Sequence, residues 1–140
     1  MCPEPGVIEQ GMNWVEIFVA FAISHLVGDY LLQTDWQARH KRCGLSRHAG
    51  VARRALLTHI FTYTLAFLPA VLIAASGAQV AWAIALVAVP HLIQDDGRPV
   101  GAYMRHVKGI DPQANLPLAT VVDQTFHLLA LLCLALLLGS

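Results

Sequence analysis

Histidine and aspartate residues are spaced four apart in three hydrophobic stretches of the sequence, as His25–Asp29, His91–Asp95 and Asp123–His127. A fourth hydrophobic stretch carries His59. Residues four apart on a helix lie on one face, so each pair would point to the same side. Imidazoles and carboxylates without thiolates suit zinc, manganese or iron, and their number is enough for two ions that share carboxylates. The predicted ligands of one or two divalent ions are His25, Asp29, His59, His91, Asp95, Asp123 and His127.

The stretches that carry these residues are hydrophobic enough to lie in a lipid bilayer. Of the 140 residues, 56% are hydrophobic and 13% are charged, whereas a soluble domain has roughly a quarter of charged residues. Four apolar stretches approach the length of about 20 residues that crosses a bilayer core. They cover residues 14–36, 50–75, 79–95 and 117–138. We therefore predict an all-α fold, a four-helix transmembrane bundle that forms a single membrane domain over residues 1–140.

The basic residues predict how the bundle is oriented in the membrane. All nine Lys and Arg residues fall between positions 39 and 54 or between positions 98 and 108. Positively charged loops stay in the cytoplasm, so we expect the loops at 37–49 and 96–116 there and both termini on the non-cytoplasmic side. The expected partners are membrane lipids, with a larger membrane complex or a homo-oligomer left open, and we expect no nucleic-acid partner.

The direction of each helix predicts two layers of ionisable residues in the cytoplasmic half of the bundle. In all three pairs the aspartate lies one turn nearer the cytoplasm than its histidine. The outer layer would hold His25, His91 and His127, and the inner layer Asp29, Asp95 and Asp123, with His59 at a similar depth. Gln33 follows Asp29 by four residues and Gln124 neighbours Asp123. Both glutamines are therefore expected to orient ligands through hydrogen bonds.

A short internal similarity suggests a duplicated helical hairpin. His-Leu-Val-Gly-Asp at 25–29 is similar to His-Leu-Ile-Gln-Asp at 91–95, and each unit is followed by a histidine in the next helix, His59 or His127. Ala55 stands where a counterpart of Asp123 would fall, so the symmetry is broken at that position.

Other uses of the same residues are open at this point. His–Asp pairs could be interhelical hydrogen bonds worth ~0.6 kcal/mol each. Four histidines could ligate haem, although haem pockets seldom place carboxylates beside the iron. The carboxylates could also form a proton or ion path. A metal site is favoured because unpaired charges are rare in lipid and a cation would offset the cost of burying three carboxylates.

The stretch from His25 to Trp36, followed by Lys41 and by Leu57-Thr-His59, resembles a family of small bacterial membrane proteins named domain of unknown function 3307. The similarity extends over nearly the whole chain and includes the later pairs, with Gln124 between Asp123 and His127. The resemblance implies a multi-pass protein of the bacterial inner membrane and supports the site residues, but it brings no activity. A more distant similarity is to membrane proteins described as metal-dependent hydrolases.

We therefore expect a metal-dependent hydrolase that acts on a lipid or amphipathic substrate from the cytoplasmic leaflet. A bound ion would generate a nucleophile from water near neutral pH. Asp29 or Asp123 would act as general base, and Lys41 would stabilise developing negative charge. Two alternatives are a non-catalytic accessory subunit of a larger membrane complex and a metal or proton carrier. The half of the predicted bundle that faces away from the cytoplasm is nearly all apolar, which counts against a carrier.

Overall fold

The structure, a computed structural model, describes residues 11–139, and residues 1–10 and 140 of the predicted domain lie outside this range. The described residues form helices and loops without any strand, which confirms the predicted all-α fold. Four helical segments are long and apolar enough to cross a membrane. The helices are α1 (Trp14–Leu26), continued by a π-helical segment (Val27–Leu32), α2 (Asp35–His40), α3 (Gly50–Ala74), α4 (Ala78–Asp95), α5 (Arg98–His106) and α6 (Leu116–Leu138).

Capping residues set the ends of the first spanning segment. Asn13 begins α1 with a capping box, in which side chain and backbone satisfy each other's hydrogen bonds. After Leu32 the backbone of Gln33 is extended, with φ of −67° and ψ of 124°. Thr34 and Gln37 then form a second capping box that begins α2. The spanning segment therefore ends four residues before the predicted boundary, and the first loop carries a short helix of its own.

The four spanning helices pack in a ring. Helices α1 and α4 each contact both α3 and α6. The turn between α3 and α4 holds Gly77 with φ of +55°, a left-handed conformation that glycine adopts without steric cost. Pro69 and Pro90 lie inside α3 and α4, and both helices continue past them. Because the chain direction alternates, the loops before α3 and after α4 meet at one end of the bundle.

This end carries seven of the nine Lys and Arg residues and is called the basic end below (residues 33–49 and 96–115), and the other two, Arg53 and Arg54, lie near the start of α3. Buried Asp96 joins its two loops. The Asp96 carbonyl accepts a hydrogen bond from Cys43 N–H at 2.8 Å, and its carboxylate accepts one from Leu45 N–H at 2.8 Å. Helix α5 follows directly and packs buried Val100 and Met104 against α6.

Apolar and polar side chains divide the interior of the bundle. Away from the basic end the core is filled by large side chains such as Phe21, Phe67 and Val71. The outer surface is apolar, with Leu31 76% and Ile73 71% exposed, as expected for helices in contact with lipid. Nearer the basic end the interior holds buried polar side chains, namely His25, Asp29, His59, His91, Asp95 and His127.

Candidate metal centre

Four side chains converge inside the bundle and are called the four-ligand group. They are Asp29 from the π-helical segment, His59 from α3, and His91 and Asp95 from α4. His59 Nε2 lies 3.1 Å from His91 Nε2, 3.2 Å from Asp29 Oδ1 and 2.9 Å from Asp95 Oδ2. His91 Nε2 lies 3.4 Å and 3.2 Å from the same two oxygens. Three helical segments thus bring two imidazole nitrogens and two carboxylate oxygens to one place.

The distances within this group fit a tetrahedral ion site. Ligand atoms at about 2.0–2.1 Å from a tetrahedral zinc ion are separated by about 3.3–3.4 Å from one another. Five of the six separations in the group lie between 2.9 and 3.4 Å. Asp29 Oδ1 has two ring nitrogens within 3.4 Å and yet forms no hydrogen bond with the described residues. A cation would satisfy this buried oxygen, which is otherwise costly to leave unpaired.

A second group, called the three-ligand group, consists of Asp95, Asp123 and His127. His127 Nδ1–H donates to the backbone carbonyl of Asp123 at 2.8 Å, which makes the Nε2 atom an acceptor. Nε2 has no hydrogen-bond partner among the described residues and lies 3.7 Å from Asp95 Oδ1. Two buried acceptors therefore face each other without a proton between them. This is the arrangement that a shared cation stabilises.

Asp95 belongs to both groups. Its Oδ2 atom faces His59 and His91, whereas its Oδ1 atom faces His127. A carboxylate with one oxygen in each group can bridge two ions, as acid ligands do in soluble helical bundles that bind metal pairs. This geometry would allow one carboxylate to be shared between two ions, and ion binding itself stays a prediction.

The charges around the two groups also favour a cation. Lys41 Nζ donates to Asp95 Oδ2 at 2.7 Å and to Gln33 Oε1 at 2.6 Å. Among the described residues, Asp29 and Asp123 have no lysine or arginine partner within ion-pair distance. Burying an unpaired carboxylate in a low-dielectric interior is expensive. One lysine does not balance three carboxylates, so the donor set fits a divalent ion.

His25 lies outside both groups. Its Nε2–H donates to Gln124 Oε1 at 2.9 Å, and its Nδ1 accepts from the Tyr63 hydroxyl at 3.0 Å. Its Nδ1 is also 3.6 Å from Asp29 Oδ2. Since both ring nitrogens are engaged, His25 lies beside the centre, and Gln124 contacts His25 instead of a member of either ligand group. Gln33 likewise contacts Lys41 and so reaches Asp95 indirectly.

The π-helical segment explains why His25 and Asp29 face different partners. In a π-helix the hydrogen bonds span five residues, so side chains four apart no longer stack as in an α-helix. Asp29 lies within this segment and faces His59 and His91. Such segments recur at functional sites, where they redirect single side chains.

Tyr63 is the residue that holds the imidazoles in place. Its ring stacks on the His91 ring with a centroid distance of 3.4 Å and an interplanar angle of 8°. The Nδ1 atoms of His59 and His91 have no hydrogen-bond partner among the described residues, so these rings are oriented by packing. Gly28 allows this packing, because a Cβ atom there would lie 2.6 Å from Tyr63 Cδ2.

A cavity of about 210 Å³ extends from the three-ligand group into the basic end. Asp95 and Asp123 lie at its inner end, and Lys41, Arg42, Arg98 and Arg105 line the remainder. The Asp123 side chain is 25% exposed, whereas that of Asp95 is 1% exposed. The three-ligand group is therefore the part of the centre that a ligand can approach through the cavity.

Sequence reasoning missed three residues of this centre. Tyr63 lies one helical turn after His59, and this spacing could have indicated that the two share a face. Arg42 and Arg105 belong to different loops, and no spacing in the sequence relates them. Gln94, which the sequence places off the face of His91, donates from Nε2 to the carbonyl of Phe126 at 3.1 Å and so links α4 to α6.

Comparison with known proteins places the chain in a family without assigning it an activity. No curated protein and no solved structure matches the chain. The family described as "Protein of unknown function (DUF3307)" matches residues 17–139, which include both ligand groups and the cavity. The chain therefore belongs to the DUF3307 family, as the motif from His25 to Trp36 indicated.

Proposed function

We propose that this protein is a metal-dependent hydrolase of the membrane. It would hold one or two divalent ions, of zinc, manganese or iron, and act on an amphipathic substrate from the cytoplasmic leaflet. The observation that carries the proposal is the four-ligand group, in which two imidazole nitrogens and two carboxylate oxygens converge and five of six ligand separations lie between 2.9 and 3.4 Å.

The two groups suit different tasks. Structural metal sites are closed by protein ligands, whereas catalytic sites keep a position open. The four-ligand group is enclosed, and the three-ligand group borders the cavity. A divalent ion in the three-ligand group would act as a Lewis acid and would supply a nucleophile from water near neutral pH.

Two residues of the chain have roles that follow from their contacts. Asp123 is the carboxylate best suited to accept a proton, because it borders the cavity and has no lysine or arginine partner among the described residues. Lys41 orients Asp95 through its 2.7 Å hydrogen bond. It also carries a positive charge at the inner wall of the cavity, where negative charge would develop during ester hydrolysis.

A carrier function is less well supported. A transported ion would need polar groups along the whole bundle, but the interior beyond the centre is filled by Phe21, Phe67 and Val71. An accessory role in a larger complex would require only the enclosed group. The cavity at the three-ligand group favours hydrolysis over that role.

The proposal is tested by metal-dependent turnover. The protein would be purified from metal-depleted cells, reconstituted in nanodiscs and given zinc, manganese or iron before incubation with amphipathic carboxylate and phosphate esters. We expect hydrolysis only after metal is added, with one ion giving the highest rate. Turnover that is equal with and without metal, or absent with all three ions and both ester classes, would contradict the proposed activity.

A further inference from the structure

Four basic side chains from the two loops of the basic end line one cavity. Lys41 and Arg42 follow α2, and Arg98 and Arg105 lie on α5. The inner end of the cavity is formed by Asp95 and Asp123 of the metal centre. A charged ligand in this cavity would therefore contact both loops and the three-ligand group at once.

Two of the cations are paired and two are not. Lys41 is bound to Asp95, and the Arg98 side chain is held by a hydrogen bond from its Nε to the buried Asp96 carboxylate. This contact raises the pKa of the Arg98 guanidinium above its usual value. Arg42 and Arg105 have no carboxylate within ion-pair distance among the described residues.

The two unpaired arginines pack beside glycine residues of the cavity wall. The Arg42 stem packs beside Gly97, where a Cβ atom would lie 3.5 Å from Arg42 Cγ. The Arg105 guanidinium packs beside Gly101, where a Cβ atom would lie 3.3 Å from one terminal nitrogen. Both glycines lie at the start of α5 and also line the cavity.

The guanidinium groups of Arg42 and Arg105, which have no carboxylate partner among the described residues, are suited to bind a phosphate group. An arginine presents several N–H donors in a planar fork that binds phosphate oxygens in pairs. The cavity volume of about 210 Å³ is below the ~300–1,000 Å³ of pockets for drug-sized ligands, so it suits a small headgroup.

We propose that this cavity binds the phosphate group of an amphipathic phosphate ester through Arg42, Arg98 and Arg105, with the ester bond directed toward Asp123. The inference rests on the proposed function, because it names the substrate class that the metal centre would act on. In the reaction the oxygen of water forms a bond to phosphorus and the P–O bond to the alcohol breaks. Asp123 takes one proton from the water and returns it to the leaving oxygen, which yields the alcohol and a phosphate product without any oxidant or reductant.

Binding of two phosphate probes tests this site separately from metal-dependent turnover. One arm measures equilibrium binding of radiolabelled inorganic phosphate to purified protein in detergent. The other measures binding of phosphatidic acid to protein in phosphatidylcholine nanodiscs. We expect the double variant Arg42→Gln/Arg105→Gln to weaken binding at least tenfold. The loss in binding of phosphatidic acid would identify a lipid headgroup as the source of the phosphate, and the loss in binding of inorganic phosphate would identify a soluble ester.

Matched variants separate the cavity from general surface charge. The double variant Arg39→Gln/Arg47→Gln removes the same charge from the basic end, yet neither residue lines the cavity, so its binding should stay within twofold of the native protein. Arg42→Lys/Arg105→Lys keeps the charge but loses the planar forks, and should weaken binding by an intermediate factor. All variants would be compared at equal metal content, which elemental analysis gives.

The outcomes distinguish this inference from the proposed function. Unchanged binding in the Arg42→Gln/Arg105→Gln variant, an equal loss in the Arg39→Gln/Arg47→Gln control, or no binding of either probe by native protein would overturn the phosphate site. Arginine-dependent binding in a protein that contains no metal would leave the phosphate site standing and contradict the hydrolase.

Discussion

The two ligand groups share Asp95 but differ in how closely protein surrounds them. In the four-ligand group the Nε2 atoms of His59 and His91 lie within 3.4 Å of each other and of the Asp29 and Asp95 oxygens, and every ligand is buried. In the three-ligand group His127 Nε2 lies 3.7 Å from Asp95 Oδ1, and Asp123 opens onto a cavity that four basic side chains help to line. Under the proposed function, one group would hold the helices together and the other would meet the substrate. Four sets of substitutions test this division.

The largest effect is expected from Asp95→Asn, because this carboxylate serves both groups. The variant should lose the ions of both groups and leave Lys41 without its carboxylate partner. Breaking a buried ion pair costs about 3–5 kcal/mol of stability. Elemental analysis and thermal unfolding in detergent measure the two losses. Asp111→Asn, an exposed loop residue, serves as the control. Full metal content in Asp95→Asn would show that the two groups are not joined through this residue.

Asp123→Asn should separate catalysis from stability. The amide can neither accept a proton nor supply an anionic ligand to the three-ligand group, so turnover should fall by at least about 10²-fold, the lower end of the usual contribution of a general base. The four-ligand group does not include Asp123, so its ion should be retained. Rates on phosphate esters and metal content would be measured on the same preparation. A variant with native turnover would remove Asp123 from the reaction.

Removing one histidine from each group compares how much each group contributes to the stability of the bundle. His59→Ala leaves a cavity in the enclosed group and removes the imidazole beside Asp29 Oδ1 and Asp95 Oδ2, whereas His127→Ala affects the side that opens to the cavity. We expect His59→Ala to lower stability by about 2 kcal/mol more than His127→Ala, within the range of buried-site deletions. Thermal unfolding of both variants in the same detergent measures the difference. Equal losses would mean that both groups are structural.

The smallest effect is expected from Tyr63→Phe. This change removes the hydroxyl that donates to His25 but keeps the ring that stacks on His91. The loss of one hydrogen bond should cost about 1 kcal/mol of stability, with metal content unchanged. Tyr63→Ala, which also removes the stacked ring, should reduce metal content as well. Retained metal in Tyr63→Ala would contradict the positioning role of the ring.

Local sequence patterns predicted the helices and most of the residues that form the two candidate ligand groups, and long-range packing decided the remainder. Hydropathy identified the four spanning segments, because a membrane helix satisfies its backbone within itself. The spacing of His91 and Asp95 placed both in one group, since α4 remains α-helical there. In His25 and Asp29 the same spacing brings the two side chains within 3.6 Å of each other, and the π-helical segment turns Asp29 toward His59 and His91.

The cavity shows most clearly what the sequence could not provide. Arg42 and Arg105 are separated by 63 positions and lie in two loops that Asp96 joins through its carbonyl and carboxylate. Their meeting depends on how the loops fold over the end of the bundle, for which the sequence has no periodic signal. Tyr63, by contrast, shares a helix face with His59 and could have been inferred.

X-ray absorption spectroscopy of the native protein, purified in detergent without added metal, tests the central claim most directly. We expect an absorption edge of zinc, manganese or iron whose height is proportional to the protein concentration. For zinc, its fine structure should report two imidazoles and oxygen ligands at about 2.0–2.2 Å. The His59→Ala variant should lose part of the imidazole signal. A native protein with no edge above that of the buffer would contradict the metal centre and would leave the buried histidines and aspartates as a hydrogen-bonded scaffold.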